Sequence, residues 1–320
     1  MKILFHYDAG EQLQQDVQAL AAQGLNVVCC AEGPSQPFLS ELKNAGVLWH
    51  VLQPIDADII AQAPELKLIQ KIGVGVNTID LKAAKARGIA VCNMPGTNSR
   101  AVAEMSLMLI LQALRKTPIL DQVCRSGQWY LDAGVGESLG EIGGKTVGLV
   151  GFGAVAQMLA PMLEAMGARV IYTARSAEPA GCDASPRNQY QFCELDALLA
   201  QADIVSLHVP LTDSTEQLID GEAIARMKTG AILVNTARGG LVDEQALYDA
   251  LTSNKLSAAA LDVFAAEPSP GDNALLKLNN VVVSPHIAWL TKETWGRSIS
   301  VAVANSLAIA QNTPLRHRVI

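Results

Sequence analysis

The sequence predicts an α/β chain built on a doubly wound parallel sheet, joined to a second, smaller α/β domain. Three observations lead there. Short β-branched runs alternate with segments of helical period through 320 residues, the pattern of βαβ units. The runs VGLV, AILV and VVV are apolar at every position, as strands covered by helices on both faces require. At roughly 100–200 residues per domain, the length suggests two domains, each with its own core.

The elements follow in order. Up to residue 97 a weaker α/β pattern has its strands in KILFHYD, NVVCC, VLWHVL, LKLIQKI and IAVCN. Between Asn98 and Gly144 the chain reads as mostly helical, beginning SRAVAEMSLMLILQAL. From Lys145 the alternation is clear. KTVGLVGFG is a strand entering a Gly-rich turn, VAQMLAPMLEAMG a helix closed by Gly167, and RVIYTA a strand. FCELDALLAQA and DIVSLHVP are the next helix and strand, and EAIARMKTG and AILVNTAR the pair after them. DEQALYDALTSNK is a helix with Asp243 and Glu244 in its first turn, where the helix dipole favours anions. LSAAALDVF and NVVVSPH are strands, and TKETWGRSISVAVANSLAIAQN is the terminal helix. No repeat, charge run or Pro-rich linker marks a boundary. The Gly-rich unit is therefore read as an insert, residues 98–286, flanked by a smaller domain made of residues 1–97 and 287–320.

Composition narrows the function. Half the residues are hydrophobic, which excludes disorder as the main state. A net charge of −7 argues against nucleic acid or an anionic membrane as the principal partner, while a small anionic substrate fits if one site is locally basic. The six cysteines (Cys29, Cys30, Cys92, Cys124, Cys182, Cys193) are scattered without CxxC or His/Cys ligand spacing, so reduced thiols and no metal site are expected. MKILFHYDAG is too short in apolar residues for a signal peptide. The most apolar window, Ala101 to Leu114, is interrupted by Glu104, Ser106 and Gln112 and falls short of a membrane span. A soluble, cytoplasmic protein is expected.

The turn Gly151-Phe152-Gly153-Ala154-Val155-Ala156 lies between a strand and a helix, the context a dinucleotide-binding turn needs. Gly151 allows the tight turn, and Gly153 lets a pyrophosphate approach the backbone and the helix N-terminus. Ala156 still permits close helix-to-strand packing. At the end of the next strand, where an NAD enzyme carries a carboxylate for the ribose, the chain reads Tyr172-Thr173-Ala174-Arg175-Ser176. Arg175 suits a 2′-phosphate, with Ser176 or Thr173 adding a hydroxyl, so NADP(H) is expected over NAD(H).

Three further residues stand at or just beyond strand ends: Arg238 after AILVNTA, Glu267 after LDVFAA and His286 after VVVSP. The carboxyl ends of parallel strands share one edge, so residues 29 and 19 positions apart converge there. Arginine clamps a carboxylate, histidine moves a proton near neutrality, and a neighbouring carboxylate fixes the imidazole tautomer. His6, His50 and His317 carry no motif.

With these residues in view, NTARGGLVDEQAL, LDVFAAEP, SPHIAW, GFGAVA and LHVPLT resemble the D-isomer-specific 2-hydroxyacid dehydrogenase family, as do GVGVNTID, NMPGTNSRAVAE and RSGQW. The resemblance implies a Rossmann-type cofactor domain inserted in a flavodoxin-like substrate domain. It implies that Arg238 binds the 2-oxo acid, that Glu267 and His286 form the acid–base pair, and that Val74 and Gly75 offer backbone N–H groups to the substrate carboxylate. Gly151, Gly153, Ala154, Val155, Arg175 and Ser176 would meet the cofactor, with Thr236 and Ala237 along it, Asp262 on the nicotinamide amide, and His208, Val209 and Pro210 walling the adenosine. Ala156 replaces the usual third Gly, and Ala154 stands where Arg is frequent.

The resemblance also bears on substrate. Between Asn44 and Leu66 there is one lysine-free, arginine-free stretch covering VLWHVLQP, and the chain ends soon after its terminal helix. Both features favour a small unphosphorylated 2-oxo acid, such as hydroxypyruvate or glyoxylate, over 3-phosphoglycerate with NAD. HIAW and YTAR are similar to patterns of NADP-dependent hydroxypyruvate/glyoxylate reductases, with Trp289 a candidate for the pocket wall. The rival from another class is a dinucleotide-sensing corepressor of the same architecture, but no recruitment tail is visible and the triad is intact. A homodimer through the Ala101–Leu114 region is implied.

Overall fold

The computed structural model describes residues 1–33, 36–129, 133–175 and 189–320. It divides into two compact units, Met1–Asn98 with Thr291–Ile320, and Ser99–Leu290.

In the first unit, five of the described strands form one parallel sheet: β1 Lys2–His6, β2 Asn26–Cys30, β3 Val47–His50, β4 Leu68–Lys71 and β5 Ala90–Cys92. Their order, β2-β1-β3-β4-β5, is the flavodoxin-like one. The strands stop earlier than the apolar runs suggest. KILFHYD pairs in register only as far as His6 opposite Cys30, whose carbonyl accepts the Tyr7 amide as the last bond to β2. Helices α1 Glu11–Gln18, α2 Gln36–Leu42, α3 Ala57–Ala61 and α4 Leu81–Ala86 alternate with the strands. Asp56 and Asp80 cap α3 and α4 by accepting the Ile59 and Ala83 amides, which satisfies otherwise orphaned donors. The terminal helix Lys292–Gln311 returns to this unit, where the Asn305 amide donates to Gln70 Oε1 at 2.6 Å and Ser306 Oγ accepts from Trp49 Nε1 at 3.0 Å.

In the second unit, seven of the described strands form a parallel sheet in the order β12-β11-β10-β9-β6-β7-β8. They are β6 Thr146–Val150, β7 Arg169–Thr173, β8 Gln191–Phe192, β9 Ile204–Leu207, β10 Ala231–Asn235, β11 Leu256–Leu261 and β12 Val281–Val283. The stretch expected to be mostly helical holds α5 Ser99–Arg115, α6 Thr117–Arg125 and α7 Ala133–Glu137. It breaks at Lys116, whose left-handed backbone (φ 51°) an α-helix cannot continue. The remaining helices are α8 Ala154–Ala165, α9 Leu195–Gln201, α10 Gly221–Arg226 and α11 Glu244–Thr252. Asp243 precedes α11 and caps it, accepting the Gln245 and Ala246 amides.

Two of the three apolar-at-every-position runs, VGLV and AILV, have the cause expected for them; VVV does not, because β12 is an edge strand whose Val282 is buried while Val281 is half-buried and Val283 exposed. Val147, Leu149, Ile204, Ile232 and Val234 pack with Leu109, Ile110, Leu159 and Leu163 of α5 and α8 on one face. Val150, Val205, Leu207 and Leu233 pack with Leu198, Ile224 and Leu247 of α9 to α11 on the other. Both faces are thus removed from water, and the sheet is Rossmann-type, as expected. Gly148 marks how close α9 lies: a Cβ there would be 2.5 Å from Leu198 Cδ2. The window Ala101–Leu114 belongs to this core through Leu109, Ile110, Ala113 and Leu114. No helix among the described residues is long and apolar enough to cross a membrane.

Candidate active site

Two sets of residues gather at the carboxyl edge of the seven-stranded sheet. The first is the turn after β6. Gly151 has φ +94°, and a Cβ on it would lie 2.7 Å from the His208 carbonyl oxygen and 2.8 Å from Val209 Cγ1. Only glycine fits, on both counts. Gly153 differs: its φ is −82° and a Cβ there would meet nothing within 4 Å. It precedes α8 without any side-chain cap, and the Ala154 and Val155 amides have no acceptor among the described residues. Open space facing unsatisfied helix N-terminal donors is what a pyrophosphate requires. The residues present therefore fit a dinucleotide. Arg175 lies two residues past β7 and is exposed, while Ser176 lies outside the described residues, as does Cys182. Beside the turn, burial pushes the His208 imidazole down to about 4, so it is neutral at pH 7, paired with Ser206 Oγ at 2.9 Å. Pro210 closes this wall and accepts the Thr215 hydroxyl.

The second set is the charged trio. His286 Nδ1 and Glu267 Oε2 are 2.6 Å apart, and the other oxygen of Glu267 accepts the Phe264 amide at 3.0 Å. Burial alone would raise the Glu267 carboxyl, but the His286 bond and charge, the Phe264 amide and the Arg238 charge together hold it below the usual carboxylate range. Glu267 is therefore ionised throughout the neutral range. Arg238 feels the reverse balance: burial lowers its pKa and the Glu267 charge offsets part of that. The trio is one electrostatic unit.

Each member is held by a local device. Asn235, the last residue of β10, donates to the Arg238 carbonyl at 2.8 Å and accepts the Ala237 amide at 3.0 Å, which folds Thr236–Arg238 into a tight turn. Arg238 Nη1 donates to the Ala237 carbonyl at 2.6 Å. Thr236 Oγ1 lies 2.8 Å from Ser106 Oγ of α5. Gly239 packs so tightly that a Cβ would overlap the Phe264 carbonyl, which ties the Arg238 turn to the Glu267 loop. Gly239→Ala is expected to cost about 1–3 kcal/mol by overpacking and to lower turnover at least tenfold. Thermal unfolding and initial rates check this, and a parental melting point would contradict it.

His286 itself has φ 53°, an unfavourable region for a residue with a Cβ. Asp262 maintains it. Its Oδ1 accepts Ser284 Oγ at 2.6 Å and the Ile287 amide at 2.9 Å, its Oδ2 accepts the Ala288 amide at 2.8 Å, and its carbonyl accepts the His286 amide at 2.7 Å. Burial raises the Asp262 carboxyl, and these donors with the His286 charge counteract that. Asp262→Asn would set an NH2 against an N–H donor. A loss of about 1–3 kcal/mol, read from the urea midpoint, and a slower turnover are expected. Equal midpoints would refute the staple. Trp289 is buried, its Nε1 donating to the His286 carbonyl at 3.2 Å, so it backs the turn.

Val74 and Gly75 belong to the other unit, in the bend after β4. Val74 is exposed, and the amides of both have no acceptor among the described residues. Asn235, Gly239 and Ser284 were not singled out from sequence. An Asn at a strand end before a turn was a readable signal; the other two had none. Among the described residues, no three His, Cys, Asp or Glu side chains gather as metal ligands.

Residues 107–288 match the family model described as D-isomer specific 2-hydroxyacid dehydrogenase, NAD binding domain. Hydroxypyruvate reductase of Thermotoga maritima is 41% identical over 245 residues, covering 76% of this chain and 77% of that one. D-3-phosphoglycerate dehydrogenase of Mycobacterium tuberculosis is 43% identical over 256 residues, covering 80% of this chain but only 47% of that one, so this chain spans about half of such relatives. The NAD-dependent formate dehydrogenase of Staphylococcus aureus, solved with NAD, superposes with a TM-score of 0.88 at 27% identity, over 100% of this chain and 99% of that one.

Proposed function

The chain belongs to the D-isomer-specific 2-hydroxyacid dehydrogenase family, and from that premise we propose that it reduces a small unphosphorylated 2-oxo acid, of the hydroxypyruvate or glyoxylate kind, to the D-2-hydroxy acid with NADPH. The observation that carries this is the 2.6 Å His286–Glu267 pair under the charge of Arg238.

The protein's own residues have distinct tasks. Arg238 clamps the substrate carboxylate and polarises the C2 carbonyl. The Nδ1–H of the protonated His286 donates a hydrogen bond to Glu267, which leaves the Nε2–H as the proton for the substrate. His286 delivers that proton to the carbonyl oxygen as C2 is reduced. When bound, the nicotinamide supplies the hydride to C2. Gly151, Gly153, Ala154 and Val155 hold its pyrophosphate, His208, Val209 and Pro210 wall the adenosine, Thr236 and Ala237 lie along it, and the remaining lone pair of Asp262 orients the carboxamide. Arg175 holds the 2′-phosphate. The setting is cytoplasmic and the enzyme a homodimer through the region of α5, which light scattering tests.

The decisive experiment is a panel of 2-oxo acids, 3-phosphohydroxypyruvate included, against NADPH and NADH. Hydroxypyruvate or glyoxylate with NADPH is expected to give the highest kcat/KM, and Arg175→Ala to reduce the NADPH value by about 10- to 100-fold, since a charge-assisted bond is worth about 1.5–3 kcal/mol, with NADH untouched. A preference for NADH overturns the cofactor assignment. Turnover confined to the phosphorylated acid supports the alternative drawn from the mycobacterial relative.

A further inference from the structure

The amino edge of the seven-stranded sheet has a site of its own. A cavity of about 380 Å³ opens where β6, β9, β10 and β11 begin, bounded also by the end of α5 and by Ser138–Gly140. Three lysines line it. Lys145 immediately precedes β6, Lys228 precedes β10, and Lys116 follows α5 in its left-handed conformation.

Their charges are not balanced. Asp203 is the one carboxylate in the lining, and both its oxygens are committed, Oδ1 to Lys228 Nζ at 2.9 Å and Oδ2 to the Thr146 amide at 2.8 Å. Burial would raise the Asp203 carboxyl, yet Lys228, the Thr146 amide and the Lys145 charge hold it below its ordinary range. Lys116 Nζ donates only to the neutral Ser138 hydroxyl, at 2.6 Å, and the Lys145 ammonium has no acceptor among the described residues. The carboxyl ends of α5 and α10 each offset about half a charge at most. About one full positive charge is left over in a partly enclosed space.

We propose that this cavity binds a small organic phosphate. All three cations are lysines, compact point charges that suit the three-fold phosphate oxygens, and there is no arginine fork to favour a planar carboxylate. The Thr229 hydroxyl adds a donor, while that of Ser138 is given to the Val135 carbonyl at 2.7 Å, and Leu114, Leu139 and Ile232 provide an apolar wall for the rest of the molecule. The site is separate from the cofactor turn: β6 lies between Lys145 and Gly151, about 20 Å at ~3.3 Å per residue.

Inorganic phosphate is the probe, added to the whole protein in a phosphate-free buffer against chloride of equal ionic strength, with the melting temperature as readout. A saturable rise with phosphate and none with chloride is expected. Lys145→Gln should weaken the half-saturating concentration at least tenfold, Lys145→Gln with Lys116→Gln should abolish the rise, and Arg238→Ala should leave it intact. An equal rise in chloride, or a rise that survives the double substitution, overturns the proposal. So does a rise lost in Arg238→Ala and kept in Lys145→Gln, which would place phosphate in the candidate active site instead.

Discussion

His286→Ala is expected to lower kcat by about 10²–10⁴-fold, the range that a positioned general acid contributes, while the Kd for NADPH stays at the parental value. The reasoning is geometric. Among the charged trio, Arg238 remains protonated and Glu267 is ionised at neutral pH, so neither has a proton to give that the reaction can recover. The imidazole does, and Glu267 at 2.6 Å orients it. Because Glu267 titrates below its ordinary value of 4.5, acidification from pH 7 to 5 leaves this pair intact, and the stabilisation it provides is lost only as pH falls further, through the lowered folded-state value. Single-turnover rates and fluorescence titration of NADPH separate the two effects. A His286→Ala protein that turns over at the parental rate removes the imidazole from the mechanism.

Arg238→Ala is expected to act on both kinetic parameters. On the proposed role, loss of this cation beside the developing alkoxide lowers kcat by about 10²–10³-fold. Loss of the carboxylate clamp raises KM for the 2-oxo acid at least tenfold, since a charge-assisted bond contributes about 1.5–3 kcal/mol. Arg238→Lys restores charge without the planar fork, so it is expected to recover part of kcat and little of KM. Burial works against the guanidinium and Glu267 works for it, so Glu267→Gln should weaken substrate binding through Arg238 as well. The check is a full kcat and KM set for the three variants. An unchanged KM in Arg238→Ala would assign the carboxylate to other residues.

Much of this protein is legible along the chain because parallel sheets impose strong patterns. Val147–Val150 and Ala231–Val234 read as strands covered twice because both faces are buried, and that is how they pack. GFGAVA between a strand and a helix locates the Gly-rich turn proposed for the cofactor for the same local reason, and Gly151 shows the positive φ and close approach that the turn requires. Arg238, Glu267 and His286 fall after consecutive strand ends, and topology brings such positions to one edge.

The sequence alone was thus enough for the class of sheet, the Gly-rich turn, and the kinds of side chain that share an edge, since these depend on periodicity and on neighbours a few residues apart. Only the folded chain decided that Gly239 presses on Phe264, that Asp262 spends three acceptor positions on the His286 turn, and that Lys116, Lys145 and Lys228 face a single committed carboxylate. Those relations join residues 22 to 112 positions apart. Steric overlap, hydrogen bonding and the loss of water around a charge all vary steeply over an ångström or two, and one-dimensional spacing carries no such distances.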